Sequence, residues 1–318
     1  MKSRDPTETL YRVIGAIYRH VDDLVVLEYP RRLSRRSIDV VVKLGDGRIA
    51  FLKVTDDTGN LSKYDVQELR DIASTLNAGA LIVANYMNNR EIVDDVAYEL
   101  HGVKVVNVNT LEGVFSGETQ IYVYQSGDTF KVRIDGETLR RRRLEEGLSL
   151  GDVAYRIGVT RRTVYEYERG YIEPSLDKAE KLVQLLGEEI LVPVDLFECP
   201  PGRKRELMEL NLDSEEEKTL ARKLYDRNFN VVHAKRTTVD LVGAKTKRRI
   251  LLVISHGRES FESLKLKSLN SRKLARLTNS ENYIVVDSRE VKRELEKEEL
   301  EVYNMSEFEE LIEAQWES

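Results

Sequence analysis

Two stretches near opposite ends of the chain carry the same order of apolar runs at nearly the same spacing. In the first, apolar positions Leu10, Ile14, Ile17, Tyr18 and Val21 fall at helical intervals and give way to strand-like Leu24-Val25-Val26-Leu27. Next come Ile38-Asp39-Val40-Val41-Val42, a Gly45-Asp46-Gly47 turn and Ile49 to Val54, which read as paired strands. Residues 62–77 place Val66, Leu69, Ile72, Ala73 and Leu76 on one helical face and lead to a short buried strand at 80–84. A helix over Ile92 to Leu100 and a strand over Val103 to Val108 are expected to follow. Near the other end, Asp240 precedes Leu241-Val242, a turn and Ile250. Asp39 to Ile49 is 10 positions and so is Asp240 to Ile250; Asp39 to Ile82 is 43, and Asp240 to Val285 is 45. The endings agree as well, with Val105-Val106-Asn107-Val108 beside Val302-Tyr303-Asn304-Met305. These spacings point to an internal duplication with copies at about 7–117 and 214–316. Two unrelated mixed α/β units are the alternative, because short apolar strands match one another easily.

A chain of 318 residues has room for two or three domains. With 41% hydrophobic and 33% charged residues it can bury sizeable cores under a charged surface. The longest aliphatic runs, 80–84 and 250–254, are five residues, against roughly 20 needed to span a bilayer. Met1 to Pro6 lacks the apolar stretch of a secretory signal, and the single cysteine, Cys199, cannot form an intrachain disulfide. A cytoplasmic protein without a membrane partner is expected. The net charge of −6 argues against coating nucleic acid along the whole surface, while leaving room for local basic patches.

Between the two copies the pattern changes. Ile121 to Tyr124 and Phe130 to Arg133 flank Ser126-Gly127-Asp128 and read as a β-hairpin. From Gly136 to about Leu191 only short helices fit, and Pro193, Pro200, Pro201 and Gly202 mark a linker. The expected division is an α/β domain at 1–118, a hairpin plus helical domain at 119–192, a linker at 193–213 and a second α/β domain at 214–318.

Helix punctuation in the centre is explicit. Ser149 can cap one helix, Gly158 can supply the left-handed residue that ends it, and Thr160 can cap the next. Val153, Ala154 and Ile157 of the first and Val159, Val164 and Tyr167 of the second form facing apolar sides, a helix-turn-helix by mechanism. The stretch 137–192 resembles the Cro and lambda-repressor type of helix-turn-helix domain. The resemblance rests on Leu139, Gly147-Leu148-Ser149, Val153-Ala154, Ile157-Gly158-Val159, Val164, Tyr167-Glu168-Arg169-Gly170, Pro174-Ser175 and the Leu182, Leu185 and Leu186 stripe. It implies that the helix at 160–169 enters the major groove. Arg161, Arg162 and Glu166 would then face base edges with Tyr165 beside them, and Thr160 would meet a phosphate; Ser149 and Thr163 complete the DNA-facing set. The side chains suit that role, since Arg donates two hydrogen bonds to guanine and Glu accepts from cytosine. Leu150 stands where many members of that type carry Gln. Glu168 resembles the glutamate that pairs with a first-helix arginine, here Arg143, as a structural salt bridge. Arg140 to Arg142 are open to phosphates, but Arg141 with Glu145 and Arg142 with Glu146 also make i,i+4 pairs.

The flanking copies are similar to the restriction-endonuclease and Holliday-junction-resolvase core, whose metal site uses an Asp and then an acidic-x-Lys strand. Asp39 and Lys53 stand at suitable positions, but the acidic position holds Phe51, and the second copy keeps Asp240 with Leu252 and Ile254 in place of the acid and lysine. Two carboxylates are normally needed to hold Mg²⁺, so the copies read as catalytically degenerate, with Glu68 on the following helix as a migrated substitute and Glu8 or Glu28 as assisting groups. Basic residues gather around both Asp strands: Arg31, Arg32, Arg35 and Arg36, then Lys235, Arg236, Lys245, Lys247, Arg248 and Arg249. These can follow a DNA backbone or simply face water. His20, His101, His233 and His256 are isolated in sequence, and no phosphate-binding glycine motif occurs, so no catalytic residue, metal or cofactor is expected.

The chain as a whole resembles archaeal helix-turn-helix regulators. The expected architecture is multidomain α/β plus all-α, with a central five-helix Cro/repressor-type domain between two duplicated restriction-endonuclease-like α/β domains. The expected function is sequence-specific binding of double-stranded DNA to control transcription, without chemistry. Homodimerisation is expected through the flanking copies, because a lone helix-turn-helix binds weakly. Transcription machinery or an unidentified effector remain open as partners. The alternatives are a metal-dependent nuclease or junction-processing enzyme, and a non-specific DNA-binding scaffold.

Overall fold

The structure is a computed structural model that describes residues 6–202, 206–246, 248–255, 257 and 259–315; Lys247 and His256, named above, lie outside the described residues. The chain begins with α1 (Pro6–Ile17), which turns Leu10, Val13 and Ile17 inward at helical spacing. β1 (Val21–Val26), β2 (Val40–Leu44) and β3 (Ile49–Val54) follow as an antiparallel meander. A reciprocal cap between Ser62 and Asp65 starts α2 (Lys63–Thr75), which returns the chain to β4 (Gly79–Val83), parallel to β3. After the small hairpin of β5 (Tyr86–Met87) and β6 (Arg90–Glu91) come β7 (Val96–Leu100), β8 (Val103–Val106) and α3 (Val108–Ser116).

The helix expected over 92–100 is replaced by a turn and a strand. Asp95 has φ +61°, its N–H donates to Thr110 Oγ1 at 2.9 Å, and Asn107 Nδ2 donates to the Ile92 carbonyl at 2.9 Å. The N-terminus of α3 thus holds the turn open, and the residues after it pair with β8 on one side and β9 (Val123–Ser126) on the other. β10 (Thr129–Val132) completes a sheet of order β1-β2-β3-β4-β8-β7-β9-β10.

That last hairpin carries the helical unit, α4 (Gly136–Glu145), α5 (Leu150–Ile157), α6 (Arg161–Glu168) and α7 (Leu176–Leu186). The fifth helix is only a 3-10 turn, Glu188–Ile190. Extended pairing ends it, because the Asp135 N–H donates to the Ile190 carbonyl and the Val192 N–H to the Arg133 carbonyl. Val132 and Ile134 reach into the core formed by Leu139, Val153, Ile157, Val164 and Leu182, so the helices are fastened to the first sheet. The start of the expected linker is packed: Val194, Leu196 and Phe197 are buried on the first α/β unit, with the Phe115 and Phe197 rings 5.3 Å apart.

The second α/β unit contains α8 (Glu215–Asp226), β11 (Asn230–His233), β12 (Leu241–Lys245), β13 (Arg248–Ile254), α9 (Phe261–Thr278), β14 (Glu281–Val285), α10 (Arg289–Glu296), β15 (Val302–Tyr303) and α11 (Met305–Gln315). Its sheet runs β11-β12-β13-β14-β15, with two antiparallel and then two parallel pairings, as in β1-β2-β3-β4-β8. The two units share one core: α2 packs on β11 and β12, and α9 packs on β1 and β2.

The contacts between them are reciprocal. Glu68 accepts from the backbone N–H groups of Lys235 at 2.8 Å and Arg236 at 3.0 Å, while Asn270 Oδ1 accepts from the Glu28 N–H at 2.7 Å. Glu68 lies nine residues before Asn77 and Asn270 nine before Asn279, and both of these asparagines are left-handed, at φ +51° and +50°. Glu28 and Lys235 each follow the residue whose N–H donates to the carbonyl of Asp39 or Asp240. Asp65 pairs with Arg236 across the contact, and Lys267, three residues before Asn270 as Asp65 is before Glu68, sits 5.8 Å from the Tyr29 ring.

Candidate nucleic-acid interface

The helix-turn-helix is built from three local devices. Ser149 Oγ accepts from the Asp152 N–H at 3.2 Å while Asp152 accepts from the Ser149 N–H at 2.8 Å, which fixes the start of α5. Gly158, at φ +73°, ends α5 in the left-handed conformation that lets the chain reverse. Thr160 Oγ1 then accepts from the Thr163 N–H at 3.1 Å and starts α6. Val164 and Tyr167 of α6 close on Val153, Ala154 and Ile157 of α5, leaving the opposite face of α6 to solvent.

On that face lie Arg161, Arg162 and Tyr165, all exposed, with Thr160 and Ser149 at the helix starts and Thr163 and Glu166 half-buried. Arg162 is 86% exposed and donates from Nε to Glu166 Oε1 at 2.8 Å. Arg161 lies back over the first turn of α5: a Cβ at Gly151 would come within 2.8 Å of its Nε. Gly151 therefore leaves space for the Arg161 side chain. Behind the face, Arg143 and Glu168 form a two-point pair, with Nε–Oε1 at 2.5 Å and an NH2–Oε2 bond at 3.2 Å, and Arg143 NH1 also donates to the Leu148 carbonyl at 2.9 Å. This ties α4, the turn before α5 and the end of α6 together. Arg142 caps the end of α7 through the Leu186 carbonyl at 3.0 Å and pairs with Glu145, while Arg141 sits 3.8 Å from Glu145.

The nuclease-like positions Asp39 and Lys53 are brought together and buried, with Lys53 lining a cleft of about 290 Å³ beside Leu33, Thr55 and Asp56. Asp39 Oδ2 accepts from the Val54 N–H at 2.8 Å and lies 3.0 Å from Lys53 Nζ, which also donates to the Leu33 carbonyl at 3.0 Å. Burial pushes the Asp39 carboxyl up, against the pull of Lys53. Phe51 is fully buried in the core shared by the two units, so an apolar ring occupies the acidic position. Glu68 does not turn to this site: its oxygens are taken by Ser37 Oγ and the two backbone N–H groups of the other unit, and burial pushes its carboxyl up. In the second unit Asp240 repeats the backbone bond, accepting from the Ile254 N–H at 2.7 Å. Its lysine comes from a helix, Lys267 Nζ lying 2.6 Å and 2.7 Å from the two Asp240 oxygens. Sequence reasoning missed Lys267; the available signal is a lysine on the buried side of α9, in register with Leu264, Ser271 and Leu274.

The basic clusters divide. Arg36 is buried and donates to the carbonyls of Leu27, Glu28, Pro30 and Arg31, which makes it a clamp on that loop. Arg248 pairs with Glu281, Arg249 donates to the Thr278 carbonyl, and Arg236 is paired with Asp65. Arg31, Arg32 and Arg35 are exposed. His233, isolated in sequence, stands in space beside Glu217 and Asp213.

A capped pair of helices on a hairpin extension, joined to α/β units with an Asp–Lys pair, defines a helix-turn-helix protein built on a nuclease-like scaffold. Residues 139–191 match the helix-turn-helix family, and residues 7–121 match the PD-(D/E)XK superfamily domain. The chain is similar to a protein of Aeropyrum pernix named "Putative HTH-type transcriptional regulatory protein", 40% identical over 286 residues that cover 88% of this chain and 86% of the relative. Identically named relatives in Sulfolobus acidocaldarius, 28% identical over 96% of this chain and 98% of the relative, and by the same name with a locus suffix in Saccharolobus islandicus, 29% identical over 90% of each, are also similar. The chain belongs to this family of archaeal HTH-type transcriptional regulatory proteins. No solved structure matches it. No helix among the described residues is long and apolar enough to cross a membrane.

Proposed function

We propose that the chain is a transcriptional regulator that binds double-stranded DNA by sequence, laying α6 in the major groove. The observation that carries this reading is the exposed face of α6, with Arg161, Arg162, Tyr165 and Glu166 held on a short helix that is capped at Thr160 and braced by Arg143 and Glu168. The arginines donate to guanine O6 and N7, Glu166 accepts from cytosine N4 once released from Arg162, and Thr160, Thr163 and Ser149 face the flanking phosphates. One such helix reads only a few base pairs, so two chains act together as a homodimer on half-sites about 10 bp apart. The test is selection from a random duplex pool near physiological salt with wild type and R161A/R162A. A two-fold motif that disappears in the variant supports the reading. Binding that is steeply salt-dependent and enriches no motif overturns it in favour of a non-specific scaffold.

The same reading takes the α/β units as duplicates, with the chain divided at 1–118, 119–192, 193–213 and 214–318; the matching strand orders and reciprocal contacts support it. A second reading, a metal-dependent nuclease, is favoured by the Asp39–Lys53 pair and the superfamily match. It requires cleavage of duplex or junction DNA in Mg²⁺ that is lost in D39N and K53M; no cleavage by wild type removes it.

A further inference from the structure

We infer that Asp213, Glu217 and His233 form a binding site for a divalent transition-metal ion. Their ligand atoms lie within 4.8 Å of one another: His233 Nε2 is 3.2 Å from Glu217 Oε2 and 4.0 Å from Asp213 Oδ2. Metal–ligand bonds of about 2.0–2.2 Å place neighbouring ligand atoms roughly 3–3.5 Å apart. His233 and Glu217 already meet that separation. Asp213, whose side chain is 55% exposed, closes the remaining distance by a small rotation at the surface.

The sequence folds the three groups together for local reasons. Ser214 caps α8 by accepting from the Glu217 N–H at 3.1 Å, and Glu217 reaches back to the Asp213 N–H at 2.6 Å. This aims the buried carboxylate at the last residue of β11. Lys235 Nζ pairs with Asp213 Oδ1, leaving Oδ2 turned toward His233, the arrangement in which an outer partner orients a ligating carboxylate. A cleft of about 510 Å³, lined in part by Leu210, Asn211, His233 and Lys235, gives an ion a route in from solvent. One imidazole and two carboxylates, with water completing the shell, suit Zn²⁺, Co²⁺ or Mn²⁺ better than Mg²⁺ or Ca²⁺, which prefer all-oxygen sites. The ion fastens the first turn of α8 to β11, two and three residues before the N–H groups of Lys235 and Arg236 that bind Glu68 of the other unit. The inference stands independently of the DNA-binding reading.

The test is titration of EDTA-treated full-length protein with Zn²⁺ by calorimetry and with Co²⁺ by visible absorption. The variants are D213A, H233Q and, because Cys199 is an exposed thiol, C199S. The expected result is one ion per chain, an affinity lowered about 10-fold or more by D213A and by H233Q, and no change in C199S. Because H233Q alters a buried side chain, D213A at the surface must show the loss with an unchanged melting temperature of the metal-free protein. Absence of one-to-one binding in wild type, binding unchanged in D213A, or binding lost only in C199S each overturns the site.

Discussion

Replacing Glu168 by alanine should destabilise the helical unit by about 3 kcal/mol, the low end of what removing one member of a buried pair costs. The value follows from what the substitution leaves behind. Arg143 loses both bonds to the carboxylate and keeps only the one to the Leu148 carbonyl, in a place where its side chain is 9% exposed and that of Glu168 is 5% exposed. Burial is nearly complete, so water restores little of what is lost, although the edge of the pair stays close enough to solvent to keep the cost from the upper end of the range. At 1.4 kcal/mol per factor of ten, about 3 kcal/mol raises the open population of the unit roughly 100-fold. Amide hydrogen exchange read on peptides of α4 and α6 measures that opening directly, without requiring the whole chain to unfold in one step. Glu168→Gln keeps the shape and should lose less. The double change Arg143→Met/Glu168→Leu removes both charges and should return to within about 1–2 kcal/mol of wild type. Exchange in Glu168→Ala within about threefold of wild type would refute the structural role. So would loss of DNA affinity with exchange unchanged, because that pattern belongs to a group that touches DNA.

Three further outcomes are expected. Glu68→Ala strands the N–H groups of Lys235 and Arg236 and should loosen the contact between the α/β units by about 2–4 kcal/mol; proteolysis or exchange at 233–237 no faster than wild type would contradict it. Gly79→Ala places a Cβ 2.5 Å from the Phe197 carbonyl oxygen, a backbone atom, so the strap at 194–197 should lift at a cost of about 1–3 kcal/mol, seen as new cleavage after residue 197; an uncleaved strap rules it out. The Asp152 carboxyl is held below its usual range by the Ser149 hydroxyl and N–H, and a depressed folded pKa stabilises the fold above the unfolded value, near 3.9, and is lost as pH falls through the folded one. The melting-temperature gap between wild type and Asp152→Asn should therefore narrow below about pH 4; a gap independent of pH would show that the cap does not act through its charge.

What was legible in the sequence is what is local. Caps at Ser149 and Thr160, a left-handed Gly158 and a 3.6-residue apolar period lie within a few residues of what they specify, so the helix-turn-helix could be located to within a residue or two. The apolar spacing of 92–100 suits a helix, while its conformation is set by Asn107 and Thr110, which lie 15 residues away from their partners Ile92 and Asp95. Lys267 carries no motif signature, because the motif places its lysine on a strand and the second unit supplies one from a helix instead. The meeting of His233 with Glu217, and of Glu68 with Lys235, joins residues 16 and 167 positions apart. Neither periodicity nor a motif encodes such pairs; only the closed packing of two sheets and their helices does.

The reciprocal contact also changes how DNA binding must be arranged. In each α/β unit one polar helix residue, Glu68 or Asn270, accepts from the backbone at the end of the other unit's edge strand. Both α2 and α9 spend their outward faces on this contact, and a continuous apolar core runs beneath it. The surfaces through which two such units would pair are therefore satisfied inside a single chain, which then carries one helix-turn-helix on a two-unit base. The helical unit that carries α6 is joined to the far end of the first sheet through the β9–β10 hairpin, away from the strands β1 and β2 that receive α9. Any pairing of two such chains has to use surfaces other than the faces of α2 and α9 that are buried between the units.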